Sequence, residues 1–380
     1  MKRHHFSAYS KLLAIVFGIS LALPYPSHGQ MRIFDDFTDG DHADNSPLSW
    51  NLENWPGSSN VEISIKDSGL NISGQGGFPV FPTLDGRALI TEDVSIRIQA
   101  QMTPEVYLAI YTRVSPPPNN AVYFGGVDQQ GRIVSQEWDH AAQTVRYDMA
   151  IPSFALYDSD AFIQFDAIGD SLKVWVWPVD EEQPALPQLD TTDNSLTEGP
   201  NGIAFLSNSE VRDVSIRSFE MNVIRQNNPG DINGDGLVDV TDLNQVISDA
   251  NTSDVYWLRS DTNGDFRVNT QDVHAWVKEI TQTSIGDANL DGKFDSNDFV
   301  QVFTAGQYED NIVANSTWDT GDWNGDQEFD TADFVAAFQD GGYESEANRV
   351  QSVPEPSINL LAIAFIMFVP ARKIFGKKPV

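Results

Sequence analysis

The chain is constrained first by a twelve-residue pattern of oxygen-bearing side chains that recurs four times between Asp231 and Asp333. The first copy runs Asp231-Ile-Asn233-Gly-Asp235-Gly236-Leu237-Val-Asp239-Val-Thr-Asp242, with carboxylates or amides at positions 1, 3, 5, 9 and 12. Such a loop, completed by the backbone carbonyl of position 7, wraps a hard cation that takes roughly six to eight oxygens. Calcium fits this cage better than magnesium, which demands a tighter octahedron. The second copy sets Asp261, Asn263, Asp265, Asn269 and Asp272 around the carbonyl of Arg267. The third sets Asp287, Asn289, Asp291, Asp295 and Asp298 around Lys293, and the fourth sets Asp322, Asn324, Asp326, Asp330 and Asp333 around Glu328. In the first copy the carbonyl belongs to Leu237. One such match could be chance; four in register are not.

Charge supports a metal reading. Between Asp231 and Tyr343 there are 23 Asp and Glu against 4 Lys and Arg, in a chain of formal net charge -32. Acidic runs often mean a solvated face, but here the acids keep fixed spacing among aromatic and branched residues. The same balance excludes nucleic acid as a partner, because phosphate binding needs a basic surface. With no cysteine, neither disulfides nor thiolate sites contribute, and calcium is the expected staple. Position 6 is Gly236 and Gly292 in loops one and three but Phe266 and Gln327 in loops two and four. The turn there has positive φ, so the second and fourth sites are expected to be weaker.

After each loop, apolar residues fall at helical spacing: Leu243, Val246 and Ile247; Val273, Trp276, Val277 and Ile280; Phe299, Val302 and Phe303; Phe334 and Phe338. No matching helix precedes the loops, where Asn227-Asn228-Pro229-Gly230 and Ser284-Ile285-Gly286 lead in, so a full helix-loop-helix hand is not expected. Loop then helix, in duplicate, resembles dockerin type I over residues 229–343, in two pairs at 229–282 and 285–343. The second pair is self-similar: Phe294-Asp-Ser-Asn-Asp-Phe-Val300 returns as Phe329-Asp-Thr-Ala-Asp-Phe-Val335. The resemblance implies a cohesin-like partner, contacted at loop positions 10 and 11. Those are Val240-Thr241, Thr270-Gln271, Ser296-Asn297 and Thr331-Ala332, without the family's Ser-Thr pair. A calcium-rigidified spacer is the alternative.

Residues 33–225 read as strands. Alternation is clear in Phe162-Ile-Gln-Phe-Asp-Ala167 and Leu172-Lys-Val-Trp-Val-Trp177, and further strands are expected over 61–65, 94–100, 106–114, 121–124 and 211–221. An antiparallel sandwich follows. Phe34-Asp-Asp-Phe37 with Ser46-Pro-Leu-Ser-Trp50, and Gly202-Ile-Ala-Phe-Leu206 with Val214-Ser-Ile-Arg-Ser-Phe219, resemble concanavalin A-like jelly-roll domains. That resemblance implies either a polysaccharide or glycan binder or a glycoside hydrolase. Hydrolysis needs two positioned carboxyls, and in jelly-roll glucanases they sit on one strand as Glu-x-Asp-x-(x)-Glu. Only Glu137-Trp138-Asp139 comes near, and His140-Ala141-Ala142 follows where the last glutamate belongs. Binding is therefore preferred, no catalytic residue is assigned, and Trp138 is the sugar-site candidate. Trp50, Trp55, Trp175 and Trp177 are expected to pack in the core, as aromatic residues in strands usually do. A head that adheres to another protein is a third reading.

The ends read as targeting. Residues 1–29 carry Lys2, Arg3 and Lys11, an apolar run from Leu12 to Leu23, and Ser27 and Gly29 at small-residue cleavage positions, the order of a secretory signal peptide. Within residues 352–378, Val353-Pro-Glu-Pro-Ser357, the apolar run Ile358 to Pro370 and Arg372, Lys373, Lys377 and Lys378 resemble a PEP-CTERM sorting signal. The resemblance implies processing by an exosortase and placement at the cell surface or in the matrix. The run is short for a bilayer-spanning helix, so it reads as a marginal anchor.

Overall fold

The computed structural model describes residues 30–38, 48–51, 61–84, 86–116, 120–139, 141–152, 160–224, 228–252 and 255–345. The expected signal peptide, the expected sorting signal with its hydrophobic helix, and Trp55 lie outside these residues. Among the described residues no helix is long and apolar enough to cross a membrane.

Two sheet layers form the larger part. One layer runs β10 (Thr144–Pro152), β9 (Arg132–Asp139), β8 (Ala121–Val127) and β7 (Val106–Thr112) to the first half of β15 (Gly202–Ile224). The other runs β13 (Leu189–Thr192), β12 (Ser171–Pro178), β11 (Ala161–Ile168) and β6 (Val94–Met102) to the second half of β15, on whose far side β1 (Gln30–Asp35) pairs. β15 passes between layers where its pairing with β4 (Leu70–Leu84) slips between Ser207 and Arg212. β2 (Leu48–Asn51) and β3 (Val61–Ile65) pair with β4, and β5 (Arg87–Thr91) pairs with β4 and with the short β14 (Gly199–Pro200).

Alternation dictates this packing. In β6, Val94, Ile96, Ile98, Ala100 and Met102 are buried while Ser95, Arg97, Gln99 and Gln101 are half-buried. Across the pair, Ile98 stands opposite Ile163 and Ile96 opposite Phe165, so apolar side chains share the inner face. The layers approach closely at Gly125, where a Cβ would lie 2.6 Å from the Phe165 ring, so only glycine fits. The fold is thus mainly a β-sandwich, as expected. Sequence reading did not anticipate β4, β9 and β10, nor the shorter β1, β2, β5, β13 and β14.

The acidic segment folds as α1 (Val240–Ala250), α2 (Thr270–Ala275) with a wider turn over Trp276–Ile280, α3 (Ser296–Ala305) and α4 (Thr331–Asp340). One core holds all four: Ile232, Leu243 and Ile247 pack in the same cluster as Trp276, Ile285, Trp318, Trp323 and Phe329. Trp276 donates Nε1–H to the Gly230 carbonyl at 3.1 Å, and Trp318 donates to the Asp287 carbonyl at 2.7 Å. The two loop pairs therefore share one interior. Phe303 and Phe338, expected on the buried faces, are half-exposed, because each stacks on a partner ring, Phe334 and Phe299 respectively, at the margin.

The small unit is also joined to the sandwich. Between α1 and loop two, β16 (Val255–Trp257) pairs in parallel with β5, setting Val255, Tyr256 and Trp257 opposite Ala88, Leu89 and Ile90. Tyr256, Leu258 and Val268 belong to the sandwich's own core cluster.

Candidate functional site

All four acidic loops adopt one hydrogen-bonded conformation. The carboxylate at position 1 accepts the N–H of position 6 in every copy: Gly236 to Asp231, Phe266 to Asp261, Gly292 to Asp287 and Gln327 to Asp322, at 2.8 to 2.9 Å. Asn233, Asn263, Asn289 and Asn324 at position 3 accept the N–H of position 5. Asp235, Asp265, Asp291 and Asp326 accept the N–H of position 7, which belongs to Leu237, Arg267, Lys293 and Glu328. Position 9 caps the helix that follows: Asp239, Asn269, Asp295 and Asp330 each accept the N–H of position 11. Position 12 is fully buried at Asp242, Asp272 and Asp333 and almost so at Asp298. Its Oδ2 accepts the N–H of position 9 in each loop, a reciprocal capping box.

These bonds gather oxygens with too few protons between them. In loop four, one oxygen each from Asp322, Asp326 and Asp333 lies within 4.8 Å of the others, a group that could hold a metal ion. In loop one, Oδ1 of Asp231 is buried without any hydrogen-bond donor, the orphaned acceptor that a cation satisfies. Burial, reinforced by the neighbouring carboxylates, pushes Asp272 and Asp322 up to about 7 and Asp333 up to about 6. Asp287 and Asp298 are raised for the same reason. An all-oxygen set of carboxylates, amides and loop carbonyls, buried at position 12 and open to solvent at position 5, suits a hard divalent cation and no soft one.

Position 6 takes positive φ in every copy: +88° at Gly236, +65° at Phe266, +89° at Gly292 and +70° at Gln327. The non-glycine loops thus keep the turn and bear its strain. For Phe266 the structure supplies a reason that local spacing could not show, because its ring packs against the sandwich core.

The second candidate is a cleft of about 680 Å³ on the outer face of the β7–β8–β9 layer. Tyr107 and Tyr111 of β7, Phe124 of β8, Gln136 and Trp138 of β9, and Val145 of β10 line it. Ala88, Asn120, Gln143 and Pro200 stand among its remaining walls. Tyr107 donates its hydroxyl to Oε1 of Gln136 at 3.0 Å, and its ring meets Phe124 edge-on. The described lining contains aromatic rings, hydroxyls and amides but no carboxylate.

Trp138 therefore reaches the cleft, but the carboxylates beside it do not. Successive residues of a strand point to opposite faces, so Gln136 and Trp138 face the cleft while Glu137 turns inward and is buried. Asp139 accepts the Ala142 N–H at 2.9 Å, closing the turn to β10. Trp138, the sugar-site candidate, thus stands in the cleft lining apart from both neighbouring carboxylates. Trp50, Trp175 and Trp177 are buried, Trp50 donating to Asp35 at 2.7 Å. Tyr107, Tyr111 and Phe124 were not singled out from sequence, although they alternate in phase with the cleft face.

No family model matches the chain, and no curated protein matches it. Solved structures do. A carbohydrate-binding module of family 66 from Bacillus subtilis is 13% identical, with 46% of this chain and 95% of that one covered at a TM-score of 0.33. The exoplasmic domain of VIP36, in a calcium- and Man3GlcNAc-bound form, is 12% identical over 49% and 87%, with a TM-score of 0.35. A prokaryotic β-1,3-1,4-glucanase from a mouse hindgut metagenome is 11% identical over 51% and 100%, with a TM-score of 0.38.

Proposed function

We propose that this chain is an exported, surface-held glycan-binding protein whose dockerin-like module is stabilised by calcium. The observation that carries the binding half is the cleft: rings at Tyr107, Phe124 and Trp138 offer stacking faces, with Gln136 and Asn120 supplying amides. Flat apolar faces flanked by a few polar groups suit pyranose rings, whose two sides are C–H rich and whose rims carry hydroxyls. Hydrolysis would require a pair of carboxyls across the bond, and the described lining offers none. A polysaccharide hydrolase is accordingly the second reading.

Calcium would be held by the side chains at positions 1, 3, 5, 9 and 12 of each loop with the carbonyls of Leu237, Arg267, Lys293 and Glu328. It would neutralise carboxylates that otherwise repel within a partly buried cluster. The orphaned Asp231 oxygen and the Asp322, Asp326 and Asp333 group support that reading. Export, surface retention and exosortase processing rest on the two terminal sequence patterns, and a cohesin-like partner rests on the dockerin resemblance of residues 229–343. Protease shaving of intact cells that left residues 30–353 undigested would count against surface display.

The test of the cleft is migration of the full chain through native gels that contain single polysaccharides, followed by assay of each gel for new reducing ends. Retardation without reducing ends is expected. Release of sugar would install the hydrolase instead, and no retardation across a broad panel would remove the glycan reading.

A further inference from the structure

Loop two differs from the other three in that its own apolar residues reach the sandwich's core cluster, Val268 as a member and Phe266 packed against it, whereas loop one meets the sandwich at its surface, with Asp231 and Ile232 beside Thr91, Glu92 and Asp93. Immediately before loop two, β16 lies along the free side of β5, since Ala88 and Ile90 pair with β16 on one side and with β4 and β14 on the other. The Arg87 guanidinium sits 3.6 Å from the Tyr256 ring centroid. Arg259, whose guanidinium lies over the Trp257 ring, reaches Glu198 at 2.5 Å and Glu92 at 3.3 Å on the sandwich side. Its Nε also reaches Asp249 of α1 at 3.3 Å, and Asp249 accepts the Ser260 hydroxyl at 2.6 Å. The next residue is Asp261, position 1 of the loop. Inside the loop, Phe266 and Val268 pack against the sandwich core between ligand positions 5 and 9.

We propose that loop two is a calcium-dependent clamp: an ion held by Asp261, Asn263, Asp265, Asn269 and Asp272 fixes Phe266 and Val268 on the sandwich core and so holds β16 on β5. This rests on the calcium reading above and assigns the ion at loop two a task that the other loops do not share. Phe266 is a positioning residue, acting through its packing rather than through the ion. Its left-handed backbone is the conformation the ion cage needs, and its ring is what carries the cage's order to the head. Because Ala88 of β5 also lines the cleft, the clamp borders the proposed glycan site.

The full chain tests this by hydrogen–deuterium exchange of the β5 peptide over 86–91, with and without chelator. If β16 leaves β5 only when loop two opens and releases its ion, calcium at a hundred times its Kd should slow exchange there about a hundredfold. Asp265→Asn in loop two should abolish that protection, while Asp291→Asn, the same change in loop three, should leave it. Phe266→Gly should still take up calcium by titration calorimetry yet lose the protection, separating the ring from the ion. Exchange at 86–91 that ignores calcium, in a chain that calorimetry shows to bind it, overturns the clamp and spares the calcium reading. Equal loss in D265N and D291N also overturns it, and no calcium uptake at all overturns both.

Discussion

Phe266 and Gln327 occupy the same turn with the same positive φ, yet opposite outcomes are expected when each becomes glycine. A non-glycine residue in the left-handed region costs about 1 to 2 kcal/mol, and either substitution relieves it. Glycine's extra freedom in the unfolded chain takes back roughly 0.5 to 1 kcal/mol. Gln327 is half-buried and its side chain makes no hydrogen bond among the described residues, so Gln327→Gly should gain about 0.5 to 1 kcal/mol on these terms. Phe266 packs against the sandwich core while only partly buried, and losing that contact should cost about 1 to 2 kcal/mol, a fraction of full phenylalanine burial. Phe266→Gly should then lose about 0.5 to 1 kcal/mol net, a separation near 1.5 kcal/mol between the two variants. For a body of this size each kcal/mol moves Tm by about 2 to 4 °C, so the variants should melt about 3 to 6 °C apart on either side of the parent. Thermal unfolding of the full chain at one fixed calcium concentration measures it. If Phe266→Gly melted above the parent, as Gln327→Gly should, the ring would have no packing role and the argument for loop two would fail.

Without calcium, the raised carboxylates at Asp272, Asp322 and Asp333 favour the protonated folded state, so stability should fall as pH rises from about 4 to 7, the interval between their ordinary and folded values. With calcium the order reverses, because binding needs all three ionised; the calcium-induced rise in Tm should grow from pH 5 to pH 7.5, and a pH-independent rise would refute the burial account. Trp138→Ala should weaken polysaccharide retardation by about two- to tenfold, the worth of one stacking face, whereas Trp177→Phe, buried on β12 away from the cleft lining, should leave it unchanged when folding is intact. Trp323→Phe removes an indole N–H that is buried without an acceptor, so its melting temperature should stay within a few degrees of the parent despite the large side chain involved; a large loss would reveal a partner for that group.

The loop conformation was legible because its pattern is local: twelve consecutive residues carry every oxygen-bearing side chain of the hydrogen-bonded turn, and their spacing survives without knowledge of the rest of the chain. β6, β11 and β12 were legible for a similar reason, since alternation over eight or nine residues fixes one buried face. β4 was not, because Gly74, Gly76, Gly77, Pro79 and Pro82 look like turn residues until the distant β15 supplies its ladder. Trp138 was found without its orientation, although the two-residue period already places it opposite Glu137. Phe266 looked like a defect in a calcium loop because its partners lie in the sandwich, far away in sequence.

The parallel pairing of β16 with β5 also bears on where this protein can be cut. A strand with one side unpaired presents backbone donors and acceptors to any other chain, a template for self-association that folded proteins usually cover. Here the cover comes from residues 255–257, beyond the first acidic loop, so a head truncated at residue 226 would keep its sheet layers and lose its guard. Such a fragment should multimerise through β5, and the acidic module, whatever else it binds, serves the head as its built-in protection against aggregation.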